Sequence, residues 1–308
     1  MFENLSLPAI AAPMFLVTGP ELVAAAANAG IVGVVPSSST RSTSEFDEWF
    51  SRVDSLRSPA TVESRIRGMV AANIGAPSKN RQGPTRWEQD LEVCARRKIP
   101  LVITVKGDPT EIVPVVHDWG GLVFHDVTTI RHAEKAAQAG VDGLVLICAG
   151  GGGHSGNLSP FVFLPQVRRF FKGTIVLAGA ISDGSATRAA RALGADLCYL
   201  GTRFIATQES LAPAAYKTML VESASTDLLY TPAFTGGVSC NFLKRSLQDR
   251  GFDVDAIAAD PQGRIETDLR PWRDLWSAGQ GIGLIDDIPS VADLVQRLVA
   301  EYESEPRR

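Results

Sequence analysis

The stretch EKAAQAGVDGLVL (134–146) carries the design on which the fold turns: an alanine-rich helical run, a glycine stop, two residues, then an unbroken apolar strand. The same design recurs in AAAANAGIVGVV (24–35) and TRAARALGADLCYL (187–200). Repetition of one helix–stop–strand unit points to a repeated α/β architecture rather than an irregular mixture of helices and strands.

Outward from these units, apolar runs of strand length stand at 7–12, 31–35, 69–74, 100–105, 121–125, 143–147, 174–178 and 196–200. Helical patterns fall between them, and 206–222 reads as the eighth helix. Eight strands, each followed by a helix across short connections, is the count of a (β/α)8 barrel. The strands are continuously apolar, as a parallel sheet buried on both faces requires. An open doubly wound sheet is the alternative built from the same units. The predicted fold class is therefore α/β, a (β/α)8 TIM barrel over residues 1–223. After Glu222 the composition turns richer in turn residues and aromatics. Residues 224–288 are expected to form an extension covering the barrel mouth. Residues 289–308, with an amphipathic helix at 291–302, are expected to pack back on the barrel.

The 308 residues are 45% hydrophobic with a net charge of −4, acids and bases interspersed. Without a basic face or a long charge run, neither nucleic acid nor an anionic membrane surface is an expected partner. No apolar run is long enough to span a bilayer, and the first residues lack the pattern of a secretion signal. Cys94, Cys148, Cys198 and Cys240 are widely spaced and follow no metal-ligand pattern. A reduced, cytoplasmic protein without a metal is the simplest expectation.

In a barrel, the loops after the strands carry the chemistry, and the unusual residues fall there. The sixth strand runs into VLICAGGGGHSGNLSP (145–160). Four consecutive glycines imply a backbone lying close against a ligand, and His154 presents an ionisable ring directly after them. The other reading is a flexible loop with a solvated histidine. A metal role for His154 lacks companion ligands nearby. A Ser–His–Asp triad lacks its elbow motif, and Ser155 is adjacent to His154. General base is the functional role that remains. Gly179 and Gly201, after strands seven and eight, stand where barrels commonly bind phosphate, with a helix beginning near Thr202. Each glycine could instead serve a tight turn, and Gly201 is a candidate for positive φ. Asp126 reads either as a cap for the helix after Thr129 or as a cofactor contact. His117 and His132 look helical and surface-lying.

Ala12-Pro13-Met14, AGGGGHSG (149–156), LAGAISDG (177–184), LGADLCYLGTRFIATQES (193–210) and WSAGQGIGLIDD (276–287) together resemble the nitronate monooxygenase family, formerly called 2-nitropropane dioxygenases. The likeness runs over almost the whole chain. It implies non-covalent FMN on a (β/α)8 barrel and oxidation of alkyl nitronates, with nitroalkanes as a further substrate class, by O2 to a carbonyl compound and nitrite. His154 would be the catalytic base. The FMN phosphate would sit on the backbone of Gly179, Ala180, Gly201 and Thr202. Pro13, Met14, Phe15, Asn73, Asp126, Gly153 and Ser155 would surround the flavin, and Ala278-Gly279-Gln280 would close over it. A homodimer is compatible with the likeness. Three positions depart from the family pattern: Gly30-Ile31 replaces a double glycine, Gly179-Ala180-Ile181 replaces Gly-Gly-Ile, and Asp126 stands where relatives carry Gln or Lys. Related enzymes on this scaffold are NAD(P)H-dependent reductases of quinones or enoyl thioesters. A flavin-free barrel binding a phosphorylated metabolite is an alternative of another class.

Overall fold

The structure is a computed structural model describing residues 2–58, 68–78, 86–260 and 262–304. Residues 305–308 of the expected C-terminal unit lie outside the described residues. The chain alternates β1 (Ala9–Ala11), α1 (Pro20–Asn28), β2 (Val32–Pro36), α2 (Thr43–Leu56), β3 (Met69–Gly75), α3 (Trp87–Arg97), β4 (Leu101–Val105) and α4 (Ile112–Asp118). It continues through β5 (Leu122–Val127), α5 (Ile130–Gln138), β6 (Gly143–Ile147), α6 (Pro160–Arg168), β7 (Thr174–Ala178), α7 (Gly184–Leu193) and β8 (Leu197–Leu200). The eight strands form a closed parallel barrel, sealed where Ile10 of β1 pairs with Tyr199 of β8 on one side and Val32 of β2 on the other.

Alternation along each strand sorts side chains into two layers. Val34, Ile103, Phe124, Val145, Val176 and Tyr199 belong to a core inside the barrel. Their neighbours, among them Val35, Val102, Val123, Leu144 and Leu177, pack outward against the helices in a second core. Both faces are dry, which is why the strands read as unbroken apolar runs. Gly33 marks one close helix contact in this layer: a Cβ there would stand 2.3 Å from the Val23 carbonyl oxygen of α1.

The eighth helix departs from expectation. The run 206–222 is not one helix: it follows the short turn α8 (Thr202–Ile205), begins with a break, and holds only α9 (Ala214–Val221). The break is local chemistry. Thr207 Oγ1 donates to the Phe204 carbonyl at 2.8 Å and Ser210 Oγ to the Ile205 carbonyl at 2.6 Å, diverting the acceptors a helix would use. Pro213 then starts α9 afresh. The outer ring is completed by α12 (Val291–Glu303), which packs against α7 and α1. Gly184 permits this closeness, since a Cβ there would lie 2.2 Å from the Leu298 carbonyl oxygen. Its N–H donates to Glu301 Oε2 at 2.8 Å.

Between α9 and α12 the chain builds a cover with its own small core. A two-stranded antiparallel sheet of β9 (Leu228–Thr231) and β10 (Cys240–Leu243) is followed by α10 (Lys244–Gln248) and α11 (Val254–Ala259). Phe242, Leu247 and Leu275 are fully buried in it, with Phe234 edge-on to Phe242 and Phe252. Among the described residues, no helix is long and apolar enough to cross a membrane.

Candidate active site

The loop after β6 lies at the C-terminal face of the barrel and is held there by the cover. Asn241 Nδ2 donates to the Gly151 carbonyl at 2.8 Å, and the Gln280 N–H to the Gly150 carbonyl at 2.9 Å. The Ser155 N–H donates to the Ser239 carbonyl at 3.3 Å, and the Tyr230 hydroxyl to the Ser155 carbonyl at 3.4 Å. The Gly279 N–H donates to Thr202 Oγ1 at 2.8 Å, which joins the cover to the loop after β8. The segment supplying these contacts is itself anchored. Trp276 stacks on Tyr216 with centroids 4.9 Å apart, and the buried Arg203 donates to Asp287 Oδ1 at 2.8 Å.

These contacts revise the reading of the glycine run. Gly150 has φ +94, and a Cβ on it would stand 3.0 Å from the Ala180 Cβ. A Cβ on Gly152 would lie 2.8 Å from the Gly279 nitrogen. The closely approaching backbone is therefore, at Gly152, the chain's own cover. Only Gly153 is open, with no atom within 4 Å of its Cβ position. The expected residues Gly179, Ala180, Thr202, Ala278, Gly279 and Gln280 do converge with 150–152 in one cluster.

Gly179 has φ +117, whereas Gly201 has φ −102, so the expectation of positive φ at Gly201 fails. Its Cβ would meet only Met14 Sδ at 3.7 Å and Ala12 Cβ at 3.9 Å, at the mouth beside β1. Ala180 is the strained member, a left-handed alanine at φ +57. Left-handed backbone costs an L-residue about 1–2 kcal/mol, while glycine's extra freedom in the unfolded chain returns about 0.5–1 kcal/mol. Ala180→Gly is thus expected to hold stability or raise it by up to about 1 kcal/mol. Thermal unfolding checks this, and a clear loss would show that the Ala180 methyl carries packing against Gly150.

His154 is half-buried. Its ring lies 4.8 Å from that of Trp272, at 59°. Burial, with the Lys106 cation facing it, lowers its pKa to about 4. The imidazole is consequently neutral near pH 7. Lys106, on the loop after β4, and Trp272, from the cover, were not singled out in the sequence, because each lies in an unremarkable run. Both have left-handed backbone, φ +60 and +65, a signal visible only in three dimensions.

Strand β5 ends with side chains on opposite sides. His125 is buried, with Thr104 Oγ1 2.7 Å from its Nδ1. Asp126 alternates inward with Phe124. The helix-cap reading of Asp126 is wrong: Thr129 caps α5, accepting from the His132 N–H at 3.1 Å. Among the described residues, the buried side-chain atoms without a partner are Asp126 Oδ1, Ser155 Oγ and Tyr199 Oη. Burial raises the Asp126 pKa to about 7, and the Asp126 carboxyl in turn helps burial push the Tyr199 phenol up. Asn73 is buried and donates from Nδ2 to the Ile103 carbonyl at 3.1 Å. Pro13 and Met14 are half-buried, whereas Phe15 is 41% exposed on the loop after β1.

A sequence model of nitronate monooxygenases matches residues 2–301, nearly the full chain. The chain belongs to the nitronate monooxygenase family. It is accordingly an oxidoreductase on a TIM barrel. A probable nitronate monooxygenase of Staphylococcus saprophyticus is 25% identical over 97% of this chain and 95% of its own length. The (3aS,4S,5R,7aS)-5-hydroxy-7a-methyl-1-oxo-octahydro-1H-indene-4-carboxyl-CoA dehydrogenase of Rhodococcus jostii is also 25% identical, over 96% of this chain and 92% of its own. Among solved structures, FabK from Thermotoga maritima superposes with a TM-score of 0.78 at 25% identity, covering 98% of this chain and 94% of that one. Within this nitronate monooxygenase-family chain the four cysteines are free and buried, and burial pushes the Cys148, Cys198 and Cys240 thiols up to about 12. None of the three is a thiolate nucleophile near neutral pH.

Proposed function

We propose that this protein binds FMN at the barrel mouth and oxidises alkyl nitronates with O2, giving a carbonyl compound and nitrite. The observation that carries the reading is the convergence of 150–152, 179–180, 202 and 278–280 in one cluster, on the loop that carries His154. The residues present fit a flavin. Gly153 and Gly201 leave room where side chains would intrude. Ser155 Oγ, Asp126 Oδ1 and Tyr199 Oη are buried without partners, and each such atom costs about 1–3 kcal/mol until something hydrogen-bonds it. The polar edge of a bound heteroaromatic ring is a partner of the right kind.

Gly179, Ala180, Gly201 and Thr202 would hold the phosphate, with Pro13, Met14, Phe15 and Asn73 along the ring and Ala278, Gly279 and Gln280 above it. When bound, the flavin supplies the electron-accepting chemistry. His154 takes the α-proton of a substrate that still carries one, and the cover excludes water from that ring. A base with pKa about 4 is weak for removing a carbon-bound proton near pH 7. That low basicity, and the facing Lys106 cation, favour a substrate arriving as the nitronate anion over the neutral nitroalkane.

The likeness to FabK and to a CoA-linked dehydrogenase supports a second reading, an NAD(P)H-dependent flavin reductase. Anaerobic mixing separates the two: bleaching of the flavin by a nitronate supports the oxidase, and bleaching by NADPH alone supports the reductase. The cofactor is tested by chromatography after acid release, where FMN at one per chain is expected and FAD would sink the assignment. Gly201→Val is expected to keep the circular dichroism of the folded barrel and lose the flavin, since its branched side chain meets open space rather than backbone. Wild-type flavin occupancy in that variant would remove Gly201 from the phosphate site.

A further inference from the structure

The cover reaches His154 through one unusual turn. Residues 270–275 are cinched by the Trp272 N–H donating to the Leu275 carbonyl at 2.8 Å and the Asp274 N–H donating to the Arg270 carbonyl at 2.9 Å. Asp274 Oδ2 also accepts from the Arg270 N–H at 2.9 Å. At its apex Trp272 has φ +65, a backbone conformation that bulky side chains rarely adopt. Such residues persist where surrounding contacts over-determine them, and they concentrate at functional sites. The indole packs against the apolar core of the cover and also meets the His154 ring, 4.8 Å between centroids.

We propose that Trp272 is a positioning residue for His154: the cover offers its indole in a left-handed turn so that the imidazole is held over the barrel mouth and shielded from water. The orientation and charge of the reacting histidine are then set by the cover rather than by the barrel that carries it. This rests on the reading of His154 as the proton-accepting group. The glycine loop has little means of fixing the ring by itself, since Gly153 precedes it with free space where a Cβ would stand.

Opposing influences act on the ring. An indole face attracts a cation and would favour imidazolium. Removal of water and the Lys106 ammonium, on the loop after β4, both favour the neutral ring, and they prevail. The charged neighbours of Trp272 in the turn, Arg273 and Asp274, pair with each other at 2.8 Å. From β9, Tyr230 meets the loop at the Ser155 carbonyl.

The test is Trp272→Gly on the full-length protein with its cofactor, because glycine fits the positive φ and preserves the turn while removing the indole. Trp272→Asn, the other residue tolerated there, is the second variant, and Trp272→Phe is the conservative rescue. NMR of the His154 ring follows its protonation without turnover. The midpoint is expected to rise from about 4 toward the ordinary value of about 6.5 in the Gly and Asn variants and to stay low in the Phe variant. At pH 5 the neutral fraction would then fall roughly thirtyfold, so kcat/KM on a neutral nitroalkane should fall roughly thirtyfold more at pH 5 than at pH 8. An unchanged midpoint in both variants, or a rate loss equal at every pH, overturns the proposal. If the wild type oxidises no nitro compound, the proposed activity fails, and the ring titrations still decide the role of Trp272.

Discussion

His154→Asn is expected to lower kcat/KM for a neutral nitroalkane by about 10²-fold, the lower end of the range for general-base catalysis, and to cost less than about tenfold on the pre-formed nitronate. The two substrates differ by one proton. The neutral form must lose it before oxidation, and asparagine keeps a polar side chain of similar reach without basicity. The lower end is expected because the wild-type imidazole, with pKa about 4, is a weak base to begin with. A hundredfold corresponds to about 2.7 kcal/mol of barrier. The nitronate has already lost its proton, so it should register only what the ring contributes to binding. Steady-state oxygen consumption with each form, on flavin-replete protein, makes the comparison. Equal losses would make His154 a binding group, and no loss on either would return it to a loop histidine without a catalytic part.

Asp126→Asn is expected to stabilise the protein above neutral pH and to leave it nearly unchanged at pH 4. The Asp126 carboxyl has its folded pKa raised to about 7 by burial, against 3.8 as the ordinary value. The native state therefore keeps a proton that the unfolded chain has lost, so this residue costs stability progressively as pH rises from about 4 to about 7. Above pH 7 the penalty is complete. Three pKa units correspond to about 4 kcal/mol, which is a ceiling here because only Oδ1 is sealed while the residue as a whole is half-buried. Asparagine is neutral at every pH and nearly the same shape. Denaturant unfolding at pH 4, 6 and 8, with no ligand added, should show the two curves diverging upward with pH. Parallel curves would mean that water reaches the carboxyl and that it ionises normally.

The barrel was legible because its signals are local. Three alanine-rich helices ending at Gly30, Gly140 and Gly194, all with positive φ, hand the chain to apolar strands, and the register follows. The converging glycine loops were legible through their family motifs. What was not legible depends on contacts between distant segments. The partner of Gly152 is a backbone more than a hundred residues away in sequence, so its glycine looked like a ligand's requirement. The helical pattern of 206–222 concealed the hydroxyls of Thr207 and Ser210 that break it, although Pro213 was a visible warning. Asp126 carried the same letters whether it capped a helix or faced the barrel interior. Trp272 matters through a backbone angle that no spacing in PWRDLW announces.

That α12 rather than the 206–222 region closes the helical ring bears on how the molecule assembles. The bond from Gly184 to Glu301 spans 117 residues, and α1 meets α12 across nearly the whole chain. Contacts of such separation come late, because closing long loops must precede the reward. On a ribosome the cover would be synthesised, and its small core free to form, while the flanks of α1 and α7 were still bare. Those bare flanks would be the sticky surfaces of an incomplete chain, and a truncation that removes α12 should aggregate rather than merely lose its active site.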